Sequence, residues 1–235
     1  MSESVLEQYA KLQDAMRKCL ILSLEKHPKI FGNLHQMDED LMRWSNVMPE
    51  CLVGQFLTAR REFTMATYCA ASGMYQQAYS GIRFFLELSF ASVYYSLYEF
   101  ERRQWMMDRI DYSWSKGMDR NDGILSSKFV EVFQPNLASH AKEFFEKATV
   151  TYRHCSQFIH GKASMYKTLP KAVMYSEEVL QDWAKYAQYA GDASLFLLLV
   201  RYADLLDGND QLVDVVEARF GRLLGVRKMI GLADG

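Results

Sequence analysis

Proline and glycine are scarce, at 4 and 13 of 235 residues. Both interrupt regular backbone, so their rarity excludes a chain of many short strands joined by tight turns. The four cysteines, Cys19, Cys51, Cys69 and Cys155, show no Cys-x-x-Cys and no paired spacing. That argues against a disulfide framework or structural zinc and fits small buried thiols in a reducing compartment. Net charge is small, −2 with a pI near 6.2, so no global field draws the chain to nucleic acid and any such contact must be local. Long hydrophobic runs are missing too. The most apolar stretches, Leu88–Tyr98 and Ala193–Val200, fall short of the roughly 20 residues a membrane span needs. The opening Met1-Ser2-Glu3-Ser4-Val5-Leu6-Glu7 lacks the basic segment and apolar stretch of a secretory leader. The expectation is a soluble, cytoplasmic protein with no membrane partner.

What is plentiful is helix periodicity. Hydrophobic residues make up 49% of the chain, enough to bury a sizeable core, and they recur at helical spacing, so we expect a single all-α domain over residues 1–235. A first helix is expected over Ser4–Glu25, burying Val5, Tyr9, Leu12, Met16, Cys19, Leu20 and Ser23 before His27-Pro28 ends it. The acidic run Asp38-Glu39-Asp40 suits the first turn of a short helix. A second long helix spans Pro49–Ala71 and closes at Gly73. The third, Met74–Met107, is the most apolar and is expected at the centre of the bundle, with Arg83 and Glu87 four residues apart on one face. Gly117–Gly123 reads as the clearest loop and a candidate mobile rim, followed by a short helix over Ile124–Phe133 and a restart at Pro135. The next helix carries the stripe Leu137, Ala141, Phe144, Phe145, Ala148, Tyr152, Cys155 and Ile159. Helices over Ser176–Leu206 and from Asp210 to Leu224 complete the chain. Asp204, Asp207, Asp210 and Asp214 lack the spacing of a calcium loop, so Gly208 is expected to end one helix and Asp210 to cap the next.

The candidate chemistry lies at the end of the stripe-bearing helix, in Arg153-His154-Cys155-Ser156-Gln157-Phe158-Ile159-His160-Gly161. Seven residues at 100° each return almost to the starting direction, so Arg153 and His160 share a face away from the stripe. A guanidinium can hold a phosphate as a planar fork and an imidazole can move a proton near neutral pH. Together they suffice to cut RNA without a metal or cofactor. Ser156 and Gln157 lie near enough to orient phosphate or water, and His154, about 100° from Arg153, is given an auxiliary part. Other basic groups, such as Arg60 with Arg61 and the pair Arg102 and Arg103, read as solvated faces.

The segment resembles the HEPN superfamily (higher eukaryotes and prokaryotes nucleotide-binding), whose signature is an arginine, a polar residue, several more residues and a histidine on a late helix of the bundle. Arg153, His154 and His160 match it, and Gly73 to Glu87 is similar to the central helix of an uncharacterised prokaryotic branch. The resemblance implies an antiparallel helical bundle with its core over about 50–165, and additional N- and C-terminal helices over 1–48 and 170–225. It further implies a homodimeric, metal-independent endoribonuclease acting in a toxin–antitoxin or phage-defence setting. Arg153 and His160 would be catalytic, with His154, Ser156, Gln157, Arg83 and Glu87 in support. RNA would be the substrate and an antitoxin or other regulatory protein a partner. Lys162 stands where some family toxins carry a modifiable tyrosine, which argues against control by that route. Members that have lost catalysis bind a nucleotide or a protein instead, and this alternative stays open on sequence grounds.

Overall fold

The computed structural model describes residues 4–163 and 165–231, so Met1, Ser2 and Glu3 of the opening segment lie outside it. Its helices are α1 (Val5–Lys26), α2 (Pro28–Ser45), α3 (Glu50–Ala71), α4 (Tyr75–Tyr95), α5 (Glu99–Met106), α6 (Trp114–Gly117), α7 (Ser127–Phe133), α8 (Ala141–Ile159), α9 (Met165–Thr168), α10 (Glu177–Tyr202), α11 (Asp210–Phe220) and α12 (Leu224–Met229). Two 3₁₀ turns, Pro135–His140 and Ala203–Leu206, join them. The architecture is all-α, with no strand among the described residues, and no helix there is long and apolar enough to cross a membrane.

The ends follow local chemistry. Pro28 opens α2 at a position where its missing N–H costs nothing. Ser176 caps α10, its hydroxyl accepting from the Val179 N–H. Gly208, at φ +70°, adopts the left-handed turn expected of it. The α11 cap, however, is Asn209 and not Asp210: the Asn209 side chain accepts from the Leu212 N–H at 3.1 Å. Past Gly117 the expected loop is present and runs to Gly123 as a closed turn. Gly117 ends α6, and Gly123 N–H donates to Asp119 O while Ile124 N–H donates to Gly117 O at 2.9 Å, which stitches the turn shut.

The hairpin of α3 and α4 forms one side of the bundle, tightened where a Cβ on Gly81 would lie 2.8 Å from the Ala66 Cβ. Both α4 and α8 pack on α10. The latter was expected to flank the core, yet 16 of its 26 residues are buried, so it shares the centre of the bundle with α4, where 13 of 21 are buried as expected. The second half of α10, from Ala193 to Val200, is buried without interruption, which is what a bundle centre requires. One continuous core runs from Phe31 on α2 to Val226 on α12.

Three expected features fall differently. The helix predicted over 74–107 stops at Tyr95, because the Ser96 hydroxyl donates to Val93 O at 2.7 Å and accepts from Arg201 Nε at 2.9 Å, closing α4 without a glycine or proline. Asp38 and Asp40 lie well inside α2 and not in a first turn. Arg60 donates to both Asp38 oxygens at 2.9 Å, while Asp40, buried, accepts from Gln36 and from Arg219 Nε at 2.6 Å. On α1 only Cys19 and Ser23 are buried. Val5, Tyr9 and Leu12, expected in the core, project into solvent at 69%, 68% and 42% exposure.

Candidate functional site

Helix α8 buries Phe144, Ala148, Thr151, Cys155 and Phe158, at spacings of three and four that define one direction toward the core. This face is turned slightly from the predicted stripe: Thr151 and Phe158 are inside, Tyr152 and Phe145 half-buried, and Ile159 is 42% exposed. Arg153 and His160 sit about 180° and 160° from the core direction by helix geometry. Both are exposed. Neither side chain makes a hydrogen bond, an ion pair or a ring contact among the described residues.

The end of the helix places His160. Its N–H donates to Ser156 O at 3.1 Å, Gly161 turns left-handed at φ +56°, and the Lys162 N–H returns to Gln157 O at 3.3 Å. Gly161 is needed here, because a side chain resists that φ. Seven residues of rise separate Arg153 from His160 by about 10 Å along the axis.

Two polar clusters hold α8 at its flanks. On one side, Arg83 of α4 donates through Nε to Ser156 Oγ at 3.0 Å, through Nη1 to Glu87 at 3.1 Å and through Nη2 to the Tyr152 hydroxyl at 2.6 Å. Tyr152 donates to Glu87 at 3.1 Å and its ring lies parallel to Trp114, centroids 4.1 Å apart. Tyr152 was expected in the core. Instead it is the hub of this cluster, and burial, reinforced by the Glu87 charge, pushes its phenol above the usual range despite the Arg83 guanidinium. Arg83, Glu87 and Ser156 are thus brought together, but they hold one another and do not touch Arg153 or His160.

On the other flank His154 turns toward α10, where its Nε2 meets Asp182 at 2.9 Å. Tyr79 of α4 donates to the same carboxylate oxygen at 2.6 Å and stacks on Phe158 at 3.7 Å. Tyr186 stacks on the His154 ring at 3.9 Å. His154 therefore ties three helices together and stands apart from the Arg153 and His160 face. Gln157 is half-buried between that face and α10, with no side-chain hydrogen bond among the described residues.

Sequence reading missed Asp182, Tyr79, Tyr186 and Trp114. Asp182 lies 28 residues beyond His154, and only the tertiary fold joins them. The one available signal was the spacing of Asp182, Tyr186 and Tyr189, which places a polar and aromatic strip on one side of α10.

Burial pushes the Asp182 carboxyl up, but hydrogen bonds from His154 and Tyr79 outweigh it and hold the group below the usual carboxylate range. A depressed folded value stabilises fully above the unfolded value of about 3.9, and that contribution is lost as pH falls through the folded value. Asp182→Asn is therefore expected to lower the thermal midpoint at neutral pH, with the gap to the parent shrinking below about pH 4. A gap unchanged between neutral and strongly acidic solution would contradict this account.

Comparison of the chain with protein-family models, with curated proteins and with solved structures finds no match to any of them.

Proposed function

We propose that this protein is a metal-independent endoribonuclease of HEPN type, with Arg153 as the phosphate-binding group and His160 as the general acid–base. The observation that carries the reading is the unpaired, outward presentation of both side chains on one face of α8. An arginine held for structure would find a carboxylate, as Arg60, Arg83, Arg102 and Arg219 all do. Arg153 finds none among the described residues.

The reaction assigns each group its part. The ribose 2′-oxygen forms a bond to the adjacent phosphorus as its proton passes to an imidazole. The bond from phosphorus to the 5′-oxygen breaks as that oxygen takes a proton, and a guanidinium fork neutralises the charge gathered on the non-bridging oxygens. The products are a 2′,3′-cyclic phosphate and a 5′-hydroxyl. One imidazole must accept while another donates, so two α8 faces meeting across a two-fold axis would supply base and acid together. Arg83 and the Tyr152 cluster act in this scheme as positioning groups, fixing the rotation of α8.

The test is incubation of the purified chain with total RNA in excess chelator, followed by mapping of the ends. Cleavage leaving cyclic phosphates is the expected result. Intact RNA at every protein concentration would withdraw the nuclease reading and leave the α8 face as a binding surface.

A further inference from the structure

Helices α8 and α10 run antiparallel, tied by His154 to Asp182 at 2.9 Å and, about two turns back along α8, by Lys147 to Asp192 at 3.1 Å. Beside the second tie opens a 640 Å³ groove, lined among others by Lys142, Glu146, Lys147, Val150 and Tyr189. That volume lies within the roughly 300–1,000 Å³ of small-ligand sites.

The groove shares a face with the candidate site. At 100° per residue, Lys142, Glu146, Val150, Arg153 and His160 fall within an arc of about 80°, and all five are exposed. Val150 precedes Arg153 by about 4.5 Å along the axis. A nucleotide whose phosphate rests on Arg153 can therefore reach the groove with its base.

The lining suits a flat, neutral ring better than a second phosphate. Lys147 is held by Glu143 at 3.0 Å and by Asp192, and Glu143 also meets Arg222 at 2.9 Å, so these charges are already matched. What stays open is Val150, 43% exposed, and the half-buried Tyr189 ring, whose hydroxyl makes no hydrogen bond among the described residues. Lys185 Nζ lies 5.7 Å from that ring on an exposed side chain, free to turn toward a phosphate as a base takes its place. Aromatic rings of this kind stack RNA bases. At the rim, Lys142 and Glu146 stand 4.0 Å apart, too far for a hydrogen bond, so both keep their capacity for a ligand. A carboxylate accepts two N–H groups side by side and an ammonium donates to a carbonyl. Guanine alone among the four RNA bases offers its ring N1–H and exocyclic amine next to a carbonyl.

We infer that this groove is a guanine subsite, which holds the base adjoining the phosphate bound by Arg153. Tyr189 and Val150 pack on the ring, Glu146 accepts its two N–H groups and Lys142 donates to its carbonyl oxygen. The inference deepens the nuclease reading and takes the position of the phosphate from it.

The test has a binding arm and a cleavage arm. Guanosine 3′- and 5′-monophosphates are titrated into the full chain beside the adenosine, cytidine and uridine equivalents, with binding followed by NMR saturation transfer. The guanosine nucleotides are expected to bind most tightly. Tyr189→Ala should weaken them by about tenfold or more, whereas Tyr189→Phe, which keeps the ring, should bind as the parent does. Glu146→Gln changes an exposed side chain and should erase the preference for guanine without altering the circular dichroism. Absent or equal binding of the four bases, undiminished binding by Tyr189→Ala, or a preference that survives Glu146→Gln overturns the subsite. In the cleavage arm, mapped ends should adjoin guanosines. Cleavage indifferent to guanosine overturns the subsite and leaves the nuclease standing; guanosine-selective binding beside intact RNA withdraws the nuclease and leaves the groove as a nucleotide site.

Discussion

Replacing His160 by alanine is expected to lower RNA cleavage by about 10² to 10⁴-fold, the usual contribution of a positioned general acid–base, with the fold untouched. The second half of that expectation rests on where the residue sits. His160 is exposed at the α8 terminus and its imidazole makes no hydrogen bond, ion pair or ring contact among the described residues, and substitutions at such surface positions usually shift stability by no more than about 0.5 kcal/mol. Its backbone N–H still donates to Ser156 O, and Gly161 still supplies the left-handed turn. A large loss of activity beside an unchanged melting curve would thus separate chemistry from structure. Arg153 offers the matching control. Lysine keeps the positive charge but loses the planar fork, so Arg153→Lys should retain substrate binding better than turnover, whereas Arg153→Ala should impair both. Cleavage by His160→Ala at the parental rate would exclude this imidazole from the reaction.

The contrast between the two α8 flanks and its outer face shows what a linear reading can and cannot reach. That Arg153 and His160 share a face follows from helix geometry alone, and they remain outward even though α8 is turned from the predicted stripe. That turn came from Thr151 and Phe158. A threonine reads as polar in a sequence, but here its methyl-bearing side chain is buried between α8 and its neighbours, which shifts the core direction away from Tyr152 and Ile159. The helical class was legible because scarce prolines and glycines left long periodic runs. Where those runs stop was less so, since α4 ends by a serine hydroxyl and a distant arginine, Arg201, not by a breaker. The centrality of α10 was hidden by its first half, where Glu177, Glu178, Asp182 and Lys185 dilute the apolar pattern. The supporting residues were misjudged for a related reason. Sequence spacing brings Arg83 to Glu87, but it cannot tell that both turn to Tyr152, that Arg83 also reaches Ser156, or that His154 is drawn aside by Asp182.

Asp40→Leu is expected to be strongly destabilising, at about 3–5 kcal/mol, the penalty for leaving one member of a buried ion pair alone. The Asp40 side chain is 4% exposed and that of Arg219 15%. Arg219 Nη2 is already buried without a partner among the described residues, so Asp40 is its only charge compensation there. Leucine would fill the carboxylate's space while removing both the charge and the acceptor that serves Gln36. For a chain of this size roughly 2–4 °C accompanies each kcal/mol, so the thermal midpoint should fall by about 10 °C. The cause is checked by Asp40→Leu combined with Arg219→Leu: exchanging a whole buried pair for apolar residues is often close to neutral, so the double variant should recover most of the loss. Should the double variant melt no higher than the single one, lost packing and not a stranded guanidinium would be responsible. The pair Lys128 and Asp122 sets the scale from the other side. At 2.6 Å it is as short, but its side chains are 74% and 70% exposed, and solvent screens such a pair so that it contributes little. Asp122→Leu should therefore barely move the midpoint, because desolvation, and not the distance between charges, decides what each carboxylate is worth to the fold.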